Sequence, residues 1–178
     1  FMKILKYLKK NPEKGLVFKK ENEVVVNVYA DASFGCHKND CYKSHSGIVI
    51  QLGSSTVHVK SGKQRIITKS STEAEIVCAS DSYSILCFVR EWLREKGVII
   101  NRTRLLQDNT STINLIRNGT NSMRSRHINI HYYFLKDKSD EEKQLLCYID
   151  TNNMLADIMT KPLIGVKFEN LLNKLLGE

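Results

Sequence analysis

Apolar and polar positions alternate along the chain in short blocks near its start and in longer, helix-spaced blocks after residue 70. The segment VVVNVYAD (24–31) is rich in β-branched residues and bounded by polar ones, which predicts a strand with Asp31 at its end. HSGIVIQLG (45–53) and STVHVKSG (55–62) predict two further strands around a Gly53-Ser54 turn, giving an antiparallel meander. Ahead of them, Ile4, Leu5 and Leu8 mark a short amphipathic helix that stops near Asn11-Pro12.

The run from Ser70 to Gly97 is the longest predicted helix, with Ser/Thr caps at its start. Cys78, Ser82, Ile85, Val89 and Trp92 follow a 3-4 spacing and predict its sheet-facing stripe, with Trp92 and the other helical aromatics in the core. TRLLQD (103–108) reads as a strand ending in Asp108, and TSTINLIRNG (110–119) as a short helix closed by Asn118-Gly119. After the basic loop TNSMRSR (120–126), a helix over 128–138 presents Ile128, Tyr132 and Leu135 on one face. QLLCYI (144–149) is a strand, NNMLADIMTK (152–161) a helix stopped by Pro162, and KFENLLNKLLGE (167–178) an amphipathic helix carrying Phe168, Leu171, Leu172 and Leu175. Three hairpin-linked strands followed by α/β alternation imply an α/β fold, a mixed five-stranded sheet flanked by helices.

Composition adds to this picture. The 178 residues carry 27 Lys+Arg against 19 Asp+Glu, a net charge of +8, which favours a polyanionic partner because neutralising phosphates releases counterions. There is no long apolar run and no secretory leader pattern in FMKILKYLKK, so a soluble intracellular protein is the expectation. Cys36, Cys41, Cys78, Cys87 and Cys147 are odd in number and scattered, as expected of reduced thiols. Cys36, His37, Cys41 and His45 in GCHKNDCYKSHS raise a zinc reading, but their spacing matches no common finger, and a polar loop with free thiols is the preferred one.

Four acids stand where chemistry collects in such sheets. Asp31 and Asp108 end predicted strands, Glu75 lies in the first turns of the long helix, and Asp157 lies near the start of a later one. Residue 75 continues the stripe of residues 78, 82 and 85, whereas Glu73 points about 200° away and has the capping-box spacing to Ser70. Each acid alone is explained by a cap or a solvated charge. Together, clustered carboxylates require cations, and hard oxygen ligands select Mg²⁺ or Mn²⁺.

The words YADASFG (29–35), KSHSGIV (43–49), SSTEAEI (70–76), QDNTSTINL (107–115), SRHINIHYYF (125–134) and LADIMTKPL (155–163), in this order, resemble the ribonuclease H domain of copia-type LTR retrotransposon polyproteins. The resemblance implies a ribonuclease H-like fold over 23–163. It implies a tether from reverse transcriptase over 1–22, so that the chain would be a piece cut from a polyprotein, while the amphipathic helix of 164–178 is read from its spacing alone. It also implies catalysis and metal binding by Asp31, Glu75, Asp108 and Asp157, with two Mg²⁺ (Mn²⁺ substituting). The implied activity is endonucleolytic hydrolysis of the RNA strand of an RNA–DNA hybrid, in partnership with the reverse transcriptase of the same polyprotein. The implied location is the cytoplasm, within virus-like particles of the parent element. Ser71, Thr72, Asn109, Arg65, Arg124, Arg126 and His127 are the candidate nucleic-acid contacts; helix capping is the alternative for Ser71, Thr72 and Asn109, and capping or packing for His127.

Three departures accompany the resemblance. Ile76 stands where the family has an aromatic residue, Phe34 where relatives often have Trp, and the loop IDTNNML (149–155) lacks the histidine that many relatives place before the last acid. Two rival readings stay open: a non-catalytic nucleic-acid-binding or polymerase-connecting module of the same fold, and a host-domesticated derivative.

Overall fold

A computed structural model describes residues 2–119 and 126–178. The β-branched run opens β1 (Val25–His37), which pairs antiparallel with β2 (Lys43–Leu52), itself paired antiparallel with β3 (Ser55–Lys63). The turn between β2 and β3 has Gly53 at φ 58°, the left-handed conformation that glycine adopts without penalty. β4 (Arg102–Gln107) adds in parallel beside β1, and β5 (Leu146–Tyr148) in parallel beside β4, giving the order β3-β2-β1-β4-β5. The expected mixed five-stranded sheet is therefore present.

Alternation along β1 and β2 decides what each face buries. Val26, Val28, Ala30, Ile48 and Ile50 point to one face, where they pack with Ile76, Ala79, Tyr83 and Leu86 of α2 (Ser71–Glu95). The same core takes Ile113 and Ile116 of α3 (Thr110–Asn118), and Tyr132 and Leu135 of α4 (Arg126–Glu141). On the other face, Val49 packs with Met154, Leu155 and Ala156 and with Leu171 and Leu175 of α6 (Gly165–Leu176). The final helix thus docks on its own chain. The lead-in follows it: Tyr7 of α1 (Met2–Lys10) meets Phe168 edge-on at 6.2 Å, and beyond that helix Val17 N donates to Leu176 O at 2.7 Å.

Four expectations are corrected. β1 does not stop at Asp31 but runs on to His37, because β2 continues to pair with it past that residue. The α2 stripe holds at Cys78 and Ser82 and partly at Ile85 and Val89, but Leu86 and Leu93 are the buried residues of the distal half, and Trp92 is 50% exposed. A 3-4 count extended over about four turns had drifted around the helix. Trp92 and Phe88, the latter 71% exposed, therefore lie outside the core. The segment 152–161 is not one helix: a 3-10 turn (Thr151–Asn153) precedes the four-residue α5 (Asp157–Thr160). Between them the buried Met154, Leu155 and Ala156 are packed on the sheet. The face of α4 carrying Ile128, Tyr132 and Leu135 is buried as expected.

Candidate active site

The parallel register between β1 and β4 places the first two acids. Its last pair is Tyr29 with Leu106, and Asp31 and Asp108 each stand two residues further on, Asp108 just past the end of β4 and Asp31 level with it within the longer β1. Across β1 from β4, Asp31 pairs with Gly47 of β2. Gly47 leaves the surface on which α5 sits, so that Asp157, the first residue of α5, reaches the same level of the sheet from the other face. One carboxylate oxygen from each of Asp31, Asp108 and Asp157 lies within 4.8 Å of the others.

Glu75 arrives from α2 and is buried, 5% exposed, whereas Glu73 caps. Ser70 is the N-cap, its Oγ accepting from Glu73 N at 3.1 Å, while Glu73 Oε2 accepts from Lys69 N at 2.7 Å. Glu75 stands beside the aspartate triad rather than within it. Its Oε2 accepts from Gln107 Nε2 at 3.1 Å, and Gln107 Oε1 accepts from the backbone N–H of Asp108 at 2.9 Å and of Asn109 at 3.1 Å. The fully buried Gln107 amide thus ties two of the acids together. The sequence reading missed it, although it directly precedes Asp108 in the word QDN.

Burial, then the charge of Asp31, pushes the Glu75 carboxyl up to about 8, against the hydrogen bond from Gln107. Burial also raises Asp31, opposed by Thr160 and Lys161. The Thr160 hydroxyl donates to Asp31 Oδ2, the Thr151 hydroxyl donates to Asp108 Oδ2 at 2.9 Å, and Lys161 and Lys167 reach Asp157. Thr160, Lys161 and Lys167 were also missed, although the i,i+4 spacing of Lys161 to Asp157 was a usable signal.

The donor set fits hard divalent cations: three close carboxylate oxygens with a fourth acid alongside. Asp31, Asp108 and Asp157 would hold such an ion, with Glu75 beside them.

A pH prediction follows from Glu75. Unfolded, its carboxyl releases a proton near 4.5; folded, it keeps the proton up to about 8. The folded chain binds more protons across that window, so stability contributed by this group falls as pH rises through it. In EDTA, the Tm of the Glu75→Gln variant is expected to decline less from pH 5 to 8 than that of the unaltered chain. Identical slopes would mean that Glu75 is not the titrating group.

The candidate nucleic-acid contacts divide. Ser71 is exposed and Thr72 half-buried on the first turn of α2, and neither is its cap. Asn109 caps α3, its Oδ1 accepting from Thr112 N at 3.1 Å. Arg65 is exposed and lines a cavity of about 650 Å³ with Lys60, Lys63, Gln64, Asp81 and His131. Arg124 lies outside the described residues, as do the side chains of Arg126 and His127 at the start of α4. Of the four zinc candidates only the histidines meet, His37 Nε2 lying 2.9 Å from His45 Nδ1; Cys36 and Cys41 are exposed and free. Among the described residues the aspartate triad is the one group of three or more potential ligands. Among the described residues no helix is long and apolar enough to cross a membrane.

No protein-family model matches the chain. It is 31% identical over 174 residues to the Retrovirus-related Pol polyprotein from transposon RE1 of Arabidopsis thaliana, covering 97% of this chain and 12% of that protein. It is 34% identical over 157 residues to the Transposon Ty1-ER2 Gag-Pol polyprotein of Saccharomyces cerevisiae, covering 88% of this chain and 9% of that protein. The chain therefore spans about an eighth or less of the curated relatives it matches. Among solved structures it is similar to LC11-RNase H1 in complex with RNA/DNA hybrid (TM-score 0.55, 13% identity, 75% of this chain and 92% of that one). It is also similar to an N-terminal RNase H domain from Mycobacterium tuberculosis (TM-score 0.53, 11% identity, 83% and 99%). A third is the foamy viral protease-reverse transcriptase in complex with RNA/DNA hybrid (TM-score 0.52, 15% identity, 83% and 21%).

Proposed function

The chain is a homologue of one segment of retrotransposon Pol polyproteins and has a ribonuclease H-like fold, and from that premise we propose that it is a copia-type ribonuclease H, hydrolysing the RNA strand of RNA–DNA hybrids with divalent metal. The observation that carries this reading is the convergence of Asp31, Asp108 and Asp157 within 4.8 Å where β4 ends beside the middle of β1. A surface that only bound nucleic acid would gain by replacing such mutually repelling carboxylates.

Two divalent ions, when bound, supply an activated water and stabilise charge on the scissile phosphate and the leaving oxygen. The chain's part is to hold the ligands. Gln107 orients Glu75 and pins the backbone of Asp108 and Asn109, Thr151 orients Asp108, and the packing of Met154, Leu155 and Ala156 presents Asp157. Cys78, the cysteine buried beside Asp31, donates to the carbonyls of Asp31 and Gly47 and has its thiol pKa raised by burial, so it is no nucleophile. Water attacks instead, and no covalent enzyme intermediate forms.

Hybrid duplexes are recognised largely by shape, through 2′-hydroxyls and phosphates. Ser71 and Thr72 provide small polar groups on the helix that carries Glu75, and Arg65 with Lys60 and Lys63 provides positive charge for phosphates. In the parent polyprotein, residues 1–22 tether this domain to reverse transcriptase, which shares the hybrid, and the assembly acts within cytoplasmic virus-like particles.

The test offers end-labelled hybrid, duplex RNA and duplex DNA to the chain, each with Mg²⁺ or EDTA. Cutting is expected only in the RNA strand of the hybrid and only with Mg²⁺, leaving 5′-phosphate and 3′-hydroxyl ends. Hybrid binding without cutting would favour the connecting-module reading instead.

A further inference from the structure

Both oxygens of Asp157 are taken by ammonium groups from different elements. Lys161 Nζ donates to Asp157 Oδ1 at 2.6 Å and to Asp31 Oδ1 at 3.2 Å, and Lys167 Nζ donates to Asp157 Oδ2 at 2.7 Å. The other oxygen of Asp31 accepts from Thr160. Lys161 stands four residues after Asp157, where helical spacing brings side chains together; Lys167 comes from the first turns of α6, beyond the corner at Pro162.

These pairs differ from the chain's surface ion pairs. Lys136–Asp140 and Arg94–Glu91 join exposed carboxylates, and such pairs contribute little. Asp157 is wholly buried and Asp31 nearly so, and each is held by an ammonium whose stem is only partly exposed. Uncompensated, these carboxylates would carry a large desolvation cost.

A divalent ion would need the same oxygens, with bonds near 2.1 Å for Mg²⁺. An oxygen donated to by an ammonium at 2.6 Å has one of its lone pairs committed, and two cations so close repel each other. We propose that Lys161, supported by Lys167, is a built-in counter-ion of the acid cluster that a divalent metal must displace, so that metal binding proceeds by exchange of ammonium for metal. This rests on the reading of the cluster as a metal site. The lysines hold the carboxylates in place while the chain is metal-free and weaken its apparent affinity for metal. Because coupling between two ligands is reciprocal, metal frees Lys161 to the same extent that Lys161 opposes metal.

The experiment is a calorimetric titration of the full chain with Mn²⁺, without nucleic acid, for the unaltered sequence and for Lys161→Met, Lys167→Met and Lys161→Arg. Lys161→Met is expected to bind Mn²⁺ about tenfold more tightly, within the usual range of such couplings. Its Tm is expected to fall without metal and to recover with it. Lys167→Met should tighten binding by a smaller factor, and Lys161→Arg, which keeps the charge, should stay near the parent. Should Lys161→Met fail to fold without metal, Lys167→Met is read the same way. A purely structural ion pair would give equal or weaker Mn²⁺ binding in a folded variant, and that result overturns the exchange. If the parent binds Mn²⁺ and the lysine variants merely match it, only the exchange fails. If no form binds Mn²⁺, the metal-site reading fails with it.

Discussion

Replacing Asp108 by Asn is expected to abolish cleavage of the RNA strand while leaving the fold intact. The substitution keeps size and shape, and the Asn carbonyl oxygen can still accept the hydrogen bond that Thr151 donates to Asp108 at 2.9 Å. The local backbone is held independently, by Gln107 Oε1 accepting from residues 108 and 109. What is lost is one negative charge of a triad packed within 4.8 Å. Metal-assisted charge stabilisation is worth several kcal/mol, and at 1.36 kcal/mol per tenfold its loss corresponds to about a thousandfold or more in rate. Hybrid affinity should stay unchanged or rise, because a carboxylate that repels phosphates has gone. Single-turnover cleavage and binding, measured on the same preparation, check both halves. Equal cleavage by variant and parent would place the chemistry elsewhere.

Gly47→Ala is expected to damage stability and activity together, from a position that contributes no functional group. A Cβ there would lie 2.7 Å from the carbonyl oxygen of Ala156, 2.7 Å from Thr160 Cγ2 and 2.8 Å from Met159 Cβ. Two of these belong to α5, and the carbonyl directly precedes Asp157, so relief requires that α5 lift from the sheet. Over-packing of this kind costs about 1–3 kcal/mol, and displacement of a reacting group by about 1 Å can cost on the order of a hundredfold in rate. Gly62 on the neighbouring strand provides the control, since a Cβ there meets nothing within 4 Å. Gly62→Ala should change stability by less than about 0.5 kcal/mol. Thermal denaturation with hybrid cleavage for the two variants decides it. A Gly47→Ala chain with the parent's Tm and rate would show that α5 is not seated through this residue.

Gly47 also explains one of the words in the sequence. KSHSGIV reads as an ordinary strand, and its Gly weakens the pattern. Only the packing of α5 against β2 gives that residue a reason. The helix-start signals were legible because they are local: Ser70 caps α2 and Asn109 caps α3 through backbone groups three residues away. Counting turns from Cys78 back to Glu75 pointed that acid inward, and it is buried, because three residues are too few for the period to drift. The same count carried forward to Trp92 failed, since fourteen residues accumulate the mismatch between the assumed and the real helical period.

Local pattern by itself determined the order of strands and helices, the capped helix starts and the four acids as candidates, since propensity, capping and short periodicity act between near neighbours. Tertiary structure alone decided that Asp31 and Asp108 stand level on neighbouring strands, that a glycine admits Asp157 beside them, and that Gln107, Thr160, Lys161 and Lys167 surround them. Those relations depend on the register between β1 and β4 and on the seating of α5 and α6, which join residues tens of positions apart, and no short-range periodicity encodes such distances.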